Sequence, residues 1–391
     1  MRKPLPDPRT AGTVIVGMSG GVDSAVAALL LRDAGYTVQG LFMSNWEDDA
    51  DSYCTAATDF QDARRICETL GMALHRVSFA AQYRERVFKH FLSEYAAGRT
   101  PNPDVLCNRE IKFGVCLDYM HRLGGAWIAT GHYARIGGTE AQPQLLKAAD
   151  TSKDQSYFLH NVPASALAQT LFPIGGLRKA QVRQMAHAAG LPVFDKPDST
   201  GICFIGERPF QEFLSQHLHT EPGPIETAEG LIIGEHRGLA LYTLGQRQGL
   251  KVGGRAGAAA APWYVADKDL PRNALIVVQD QDHPLLLSDA FEVEAMHWIS
   301  PSDGPPEVLD CAVKTRYRQN DLQCCVRAGA ENSWHVTLQQ RARAVTPGQY
   351  AVFYRGEECL GGGIIARRFN SQRAPGPRRI NYNSLFSVEG S

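Results

Sequence analysis

Three short segments of this 391-residue chain combine residue types that can do chemistry. The first is Ser19-Gly20-Gly21-Val22-Asp23-Ser24, between an apolar run and an Ala/Leu-rich stretch. Glycines let a backbone turn tightly and approach an anion closely. The amides at a helix start, with the positive end of the helix dipole, hold phosphate. The loop lacks the Lys of G-x-x-x-x-G-K-[ST] and the spacing of G-x-G-x-x-G, so it is not the usual γ-phosphate cradle. The bland alternative is a strand-to-helix turn with Ser or Asp as cap. The second segment is Thr100-Pro101-Asn102-Pro103-Asp104-Val105-Leu106-Cys107-Asn108. Its prolines fix φ and bar helix until after Pro103. That predicts a helix from about Asn108, with Cys107 at or near its start, where a thiolate is stabilised. Asp104 is placed to accept a proton or orient a base. The alternative is a buried structural cysteine behind a capping Asp. The third is Asp198-Ser199-Thr200-Gly201-Ile202-Cys203-Phe204-Ile205-Gly206. Alone, it reads as a strand-core cysteine. With Cys107 it offers two thiols for the fold to bring together.

The elements that must position these segments follow from hydrophobic spacing. Thr13 to Val16 reads as a buried strand and 22–31 as a helix. Strand-like runs at 36–43, 72–79 and 127–130 alternate with helix-like runs at 55–70 and 80–97. Such alternation predicts an α/β fold, a doubly wound parallel sheet covered on both faces. The pattern fades near residue 205. A further helix is expected at 207–218, with short strands at 231–233 and 239–244. From 275 the runs are short and separated by turn residues: 275–279, 291–298, 308–317, 322–328, 333–340 and 349–355. These predict a small β-barrel. The expected organisation is a nucleotide-binding domain over 13–206, a small β-containing central domain over 207–274 and a C-terminal β-barrel over 275–370. The remaining tail, 371–391, contains Arg373-Ala374-Pro375-Gly376-Pro377-Arg378-Arg379 and is expected not to fold.

Composition narrows the class. Hydrophobic residues make up 44% and charged residues 21%, which excludes a mostly disordered chain. No apolar run reaches membrane-spanning length, and Met1 to Thr10 has three prolines and no apolar core of a secretory signal. The nine cysteines are scattered, with no C-x-x-C and no H-x-x-x-H pairing, which argues against a zinc site and for a reducing, cytoplasmic compartment.

S-G-G-x-D-S resembles the pyrophosphate loop of ATP-pyrophosphatases, which adenylate a carbonyl oxygen and release pyrophosphate. The resemblance implies ATP and Mg²⁺ as cofactors, with Asp23 helping to hold Mg²⁺. The loop alone leaves amide synthesis, guanidino synthesis, lysidine formation and thiolation open. An adenylating loop beside two thiols implies sulfur transfer: one cysteine carries a persulfide and the other resolves it as a disulfide. From Val14 to Phe369 the chain resembles the tRNA-specific 2-thiouridylase family. Besides the loop, the likeness rests on Gly40-Leu41-Phe42-Met43, Gly98-Arg99-Thr100-Pro101-Asn102-Pro103-Asp104, Ala129-Thr130-Gly131-His132-Tyr133, Lys153-Asp154-Gln155-Ser156-Tyr157-Phe158 and Gly361-Gly362-Gly363-Ile364-Ile365.

This resemblance implies the following roles. Cys107 is the nucleophile, Cys203 the persulfide carrier and Asp104 the candidate general base. Gly17, Met18, Ser19, Gly20, Gly21, Val22, Asp23, Ser24, Met43 and Gly131 contact ATP. Asn102, Pro103 and Asp104 meet the target base. His132, Lys153, Asp154, Gln155, Arg316, Tyr317 and Gln349 contact tRNA. The implied partners are tRNA and a persulfide donor, a cysteine desulfurase or sulfur-relay protein. A monomer with no membrane association is expected.

Charge supports an RNA face independently. The whole chain has net charge −1, yet from Lys314 onward there are 12 Lys plus Arg against 5 Asp plus Glu. Arg316, Arg318, Arg341, Arg343 and Arg355 alternate there with Tyr317, Tyr350 and Tyr354, a mixture suited to phosphates and exposed bases. A solvated strand face is the bland alternative. Two other functions fit parts of the pattern. An adenylating amidotransferase or ligase would not need both thiols, and a non-catalytic RNA-binding protein would release no pyrophosphate.

Overall fold

The computed structural model describes residues 6–46, 56–198, 210–252, 261–299, 307–330 and 333–370. Strand β1 (Thr13–Gly17) leads to helix α1 (Val22–Asp33), β2 (Thr37–Ser44) to α2 (Ala56–Leu70), and β3 (Leu74–Ser78) to a helical run over 80–96. A second run over 103–122 leads to β4 (Gly125–Ala129). A hairpin, β5 (Arg135–Gly138) and β6 (Pro143–Leu146), precedes β7 (Thr170–Leu171) and α3 (Lys179–Ala188). Strands β3-β2-β1-β4-β7 form one sheet, parallel throughout.

Val14, Ile15 and Val16 are all fully buried because both faces of this sheet are covered. Ile15 packs with Val87, Phe91, Ile111 and Met120 of the two helical runs. Val14 and Val16 pack with Ala25, Val26 and Leu29 of α1 and Ile66 of α2. The chain builds outward from β1 through β2 to β3, then returns to β4 on the other side of β1. This reversal opens a crevice beyond the carboxyl ends of β1 and β4, the usual ligand position in such sheets.

After α4 (Phe210–His217) come β8 (Gly223–Thr227), β9 (Ile232–His236), β10 (Trp263–Asp269) and β11 (Ala274–Gln279), which form a four-stranded sheet in the order β10-β11-β8-β9. Two expectations fail here. Residues 239–241 are a 3-10 turn rather than a strand. Gly238 and Gly245, at φ +131° and +79°, bracket too short a span for a ladder. The run at 275–279, expected to open the barrel, is β11 and pairs with β10 and β8 in the central sheet.

The C-terminal strands are β12 (Leu287–Trp298), β13 (Val308–Lys314), β14 (Leu322–Ala328), β15 (Trp334–Arg343), β16 (Tyr350–Arg355) and β17 (Glu358–Phe369). They run β12-β15-β14-β13-β16-β17, and β12 pairs with β17 to close a barrel. Gly361, Gly362 and Gly363 lie at this closure. A Cβ on Gly361 would sit 2.0 Å from the His297 carbonyl oxygen, so only glycine lets the strands meet. The hairpin β5–β6 leaves the first sheet and joins the barrel through β6–β17 pairing, which binds the two units together.

Candidate functional site

The Ser19–Ser24 loop turns from β1 into α1 at the crevice. Gly20 has φ +72°, and a Cβ there would lie 2.3 Å from the Asp59 carbonyl oxygen, so the position requires glycine. The Ser19 amide donates to Ser24 Oγ at 3.2 Å, and Ser24 Oγ donates to the Gly21 carbonyl at 3.1 Å. Gly21 is the N-cap, and it makes no side-chain bond to the first turn. The first-turn amides are therefore not taken by a cap and face the crevice as donors. Gly131, just beyond β4, closes the other wall. A Cβ on Gly131 would come within 2.6 Å of the Ser24 amide nitrogen. Only glycine lets the chain leaving β4 pack this closely on the first turn of α1. Met43 and Thr130 flank Gly17 at the crevice floor, 3.9 and 3.7 Å from where its Cβ would be.

Asp23 presents its carboxylate at this turn. It accepts from the Tyr133 hydroxyl at 2.9 Å and from Lys179 Nζ at 2.8 Å to each oxygen. Among the described residues no group of three or more His, Cys, Asp or Glu could cage a metal. Asp23 would share Mg²⁺ with phosphate oxygens, the common mode for this cation. Lys196 ties the loop from the other side, donating to the Gly20 carbonyl at 3.1 Å, Asp59 at 2.8 Å and Asp62 at 2.6 Å.

The thiol segment departs from the expected helix start. The helix begins at Pro103, with Asn102 as N-cap accepting from the Asp104 amide at 3.2 Å. Proline is preorganised for the first helical position, so Asn-Pro-Asp starts the helix rather than delaying it. Cys107 consequently lies a full turn in, its amide already bonded to the Pro103 and Asp104 carbonyls, and its side chain is 1% exposed. Asp104, not Cys107, occupies the first turn. Burial raises the Asp104 pKa, partly opposed by Lys112. Asn108 donates to the Asp104 carbonyl at 3.0 Å and to the Phe158 carbonyl at 3.3 Å.

The segment 153–158 connects these two groups. Lys153 pairs with Asp198 at 2.6 Å. Asp154 is buried and accepts from Ala148 and Ser156. Gln155 Oε1 accepts the Tyr133 amide at 2.8 Å. Phe158 meets Tyr317 with ring centres 4.4 Å apart and planes tilted by 46°, which brings the barrel to the thiol helix. Gln349 donates to the Thr100 carbonyl at 2.8 Å. Arg316 donates to the Leu244 and Ala344 carbonyls at 2.9 and 2.8 Å, so it joins the central domain to the barrel. It lines an open cleft of about 400 Å³ with Thr243, Gln246 and Gln349. His132 is buried against Phe113 and Phe172, its Nδ1 paired with Thr130 at 2.8 Å. Burial, with Lys112 adding to it, pushes its pKa far down, so the ring is neutral.

Cys203 lies outside the described residues. The last described residue before that segment is Asp198, which binds Lys153, Lys179 and Arg183 at 2.6, 2.7 and 3.2 Å. Burial works to raise its pKa, but the Lys153 and Lys179 ammoniums outweigh it and bring the carboxyl down to about 2. Lys179, Lys196 and Asp198 were not singled out as site residues from sequence. No local motif marks Lys179 or Lys196, and Asp198 and Tyr133 stand only inside quoted segments.

Three family models match in succession. A tRNA methyl transferase HUP domain covers residues 12–207, a tRNA methyl transferase PRC-barrel domain covers 211–279, and an aminomethyltransferase β-barrel domain covers 288–365. The tRNA-specific 2-thiouridylase MnmA of Methylococcus capsulatus is 56% identical over 92% of this chain and 97% of its own length. That of Chromohalobacter salexigens is 55% identical over 94% and 96%. The chain belongs to the tRNA-specific 2-thiouridylase family. The α/β sheet, central sheet and closed barrel correspond to the three successive domain models. Among the described residues no helix is long and apolar enough to cross a membrane.

Proposed function

We infer that this chain is an ATP-dependent tRNA-uridine 2-sulfurtransferase that thiolates the wobble uridine of tRNA, acting as a cytoplasmic monomer. The observation that carries the reading is the first turn of α1, which no side chain caps, which bears Asp23 and which is packed so closely that positions 20 and 131 require glycine. When bound, Mg²⁺-ATP supplies an electrophilic α-phosphate and makes the uridine 2-oxygen leave as part of AMP.

Gly17 to Ser24, Met43 and Gly131 hold the nucleotide, with Asp23 toward Mg²⁺. Asn102, Pro103 and Asp104 receive the extruded base. Asp104, its basicity raised by burial, takes the base's N3 proton as the 2-oxygen attacks. Cys203 accepts sulfane sulfur from a cysteine desulfurase or relay protein. Two routes deliver it. In one, the Cys203 persulfide attacks C2 as AMP leaves, and Cys107 thiolate then attacks Cys203 Sγ to free the thiouridine. In the other, Cys107 attacks Cys203 Sγ first, and the released hydrosulfide attacks C2. Both end in a Cys107–Cys203 disulfide, which an external dithiol must reduce with two electrons. Lys153, Gln155, Arg316, Tyr317 and Gln349 line the tRNA path, and His132 and Asp154, both buried, support it from behind.

The test is incubation with unmodified tRNA, ATP and a labelled persulfide donor, followed by nucleoside analysis. Labelled 2-thiouridine at the wobble position is expected. Retained product with both Cys107 and Cys203 replaced by Ser would overturn the reading.

A further inference from the structure

Lys179 opens α3, and its ammonium is turned back onto the first turn of α1. The side chain is only 12% exposed. Its Nζ lies 2.8 Å from both Asp23 oxygens and 2.7 Å from Asp198 Oδ1, and 5.8 Å from the Tyr133 ring centre. Its backbone amide is pinned by Asp150 Oδ2 at 2.9 Å, which fixes the start of α3. The Ser19–Ser24 loop has no lysine of its own. Thus α3 delivers a cation to the first turn of α1 from 156 residues away in sequence.

The arrangement contains a conflict. Both Asp23 oxygens are occupied by one ammonium, and a carboxylate so occupied is not available to a divalent cation. Asp198, by contrast, keeps Lys153 and Arg183 whether or not Lys179 stays. An incoming triphosphate with its Mg²⁺ resolves the conflict by exchange.

We propose that Lys179 is a polyphosphate-binding residue of the nucleotide site, held by Asp23 until Mg²⁺-ATP arrives and then transferred to a phosphate oxygen. The Asp23 carboxylate passes to the metal at the same moment, so each charge exchanges one partner for another and none is left bare. This deepens the nucleotide reading above and rests on it. A purely structural lysine, pinning α3 to α1, would have no preference among ligands.

Calorimetric binding without turnover separates the two. Wild type, Lys179→Met and Lys179→Gln are titrated with Mg²⁺-pyrophosphate, Mg²⁺-ATP and AMP, and thermal unfolding reports whether each variant is folded. Both variants are expected to lose roughly tenfold or more for pyrophosphate and ATP, the size of a charge-assisted hydrogen bond. AMP affinity stays within about twofold of wild type, because AMP lacks the β- and γ-phosphates. In EDTA, Asp23→Asn removes one of the two carboxylates that hold the ammonium, leaving it Asp198 alone, and so tightens pyrophosphate binding. That gain disappears in the Asp23→Asn, Lys179→Met double variant, a readout that does not depend on a single substitution. Equal pyrophosphate affinity in folded Lys179→Met and wild type overturns the inference, as does parallel loss of all three ligands. Failure of wild type to bind Mg²⁺-pyrophosphate would instead sink the nucleotide reading itself.

Discussion

Gly131→Ala puts one methyl group between the chain leaving β4 and the first turn of α1. The new Cβ would lie 2.6 Å from the Ser24 amide nitrogen, 2.7 Å from the Asp23 carbonyl carbon and 3.0 Å from its oxygen. Carbon contacts of this kind are comfortable from about 3.5 Å, so β4 and α1 must separate by roughly 0.8 Å. Overpacking on that scale costs about 1–3 kcal/mol of stability. The same displacement moves the first-turn amides away from where phosphate oxygens would sit. Loss of one charge-assisted hydrogen bond is worth about 1.5–3 kcal/mol, or roughly ten- to hundredfold in affinity. The assay is Mg²⁺-ATP titration by calorimetry, with thermal unfolding alongside. Gly71→Ala is the control. Gly71 has φ +68° at the end of α2 with nothing within 4 Å of its Cβ position, so it adds backbone strain without touching the first turn of α1. Gly71→Ala should lose stability and keep ATP affinity, while Gly131→Ala loses both. ATP affinity unchanged within twofold in Gly131→Ala would refute the placement of the phosphates against α1.

Other expectations follow from the same geometry. Cys203→Ser should abolish persulfide loading. Cys107→Ser should load sulfur and make no product, with ATP-dependent adenylation surviving in part in both; labelled-donor transfer and nucleoside analysis distinguish these outcomes. Arg316→Ala should weaken tRNA binding and flatten its log–log salt slope by roughly one unit or less. Because Arg316 also bonds the Leu244 and Ala344 carbonyls, the same variant should lower the melting temperature, whereas Arg318→Ala, exposed, should change binding alone. Asp198 titrates near 2 in the folded chain against a reference of 3.8, so its stabilisation is present above about pH 4 and is lost as pH falls toward 2. Acid unfolding of Asp198→Asn should therefore be flatter than wild type across that window.

Local pattern disclosed the strands and helices whose burial is set by neighbours in sequence. β1 was plain because a strand covered on both faces must be continuously apolar. The glycine loop was plain because its spacing is itself the chemistry. Pairing partners were not. Ala274–Gln279 is visibly a strand, but nothing in its own residues says that β10 and β8, rather than the barrel, will take it. The β5–β6 hairpin is too short for periodicity to mark, yet it ties the barrel to the first sheet. At the site, Asn102-Pro103-Asp104 was noticed as a rigid loop, but its meaning as cap, first helical residue and first-turn acid changes where Cys107 sits. Lys179 carries no motif, and Asp198 only opens the Cys203 segment, because the importance of both lies in side chains that meet only after folding.

The central claim is that this chain activates a tRNA uridine by adenylation before sulfur enters. Product analysis with α- and γ-labelled ATP, in the presence of unmodified tRNA and a persulfide donor, tests it most directly. AMP and pyrophosphate should appear together, one of each per 2-thiouridine formed. ADP and orthophosphate as the main products, or 2-thiouridine formed without ATP cleavage, would contradict it.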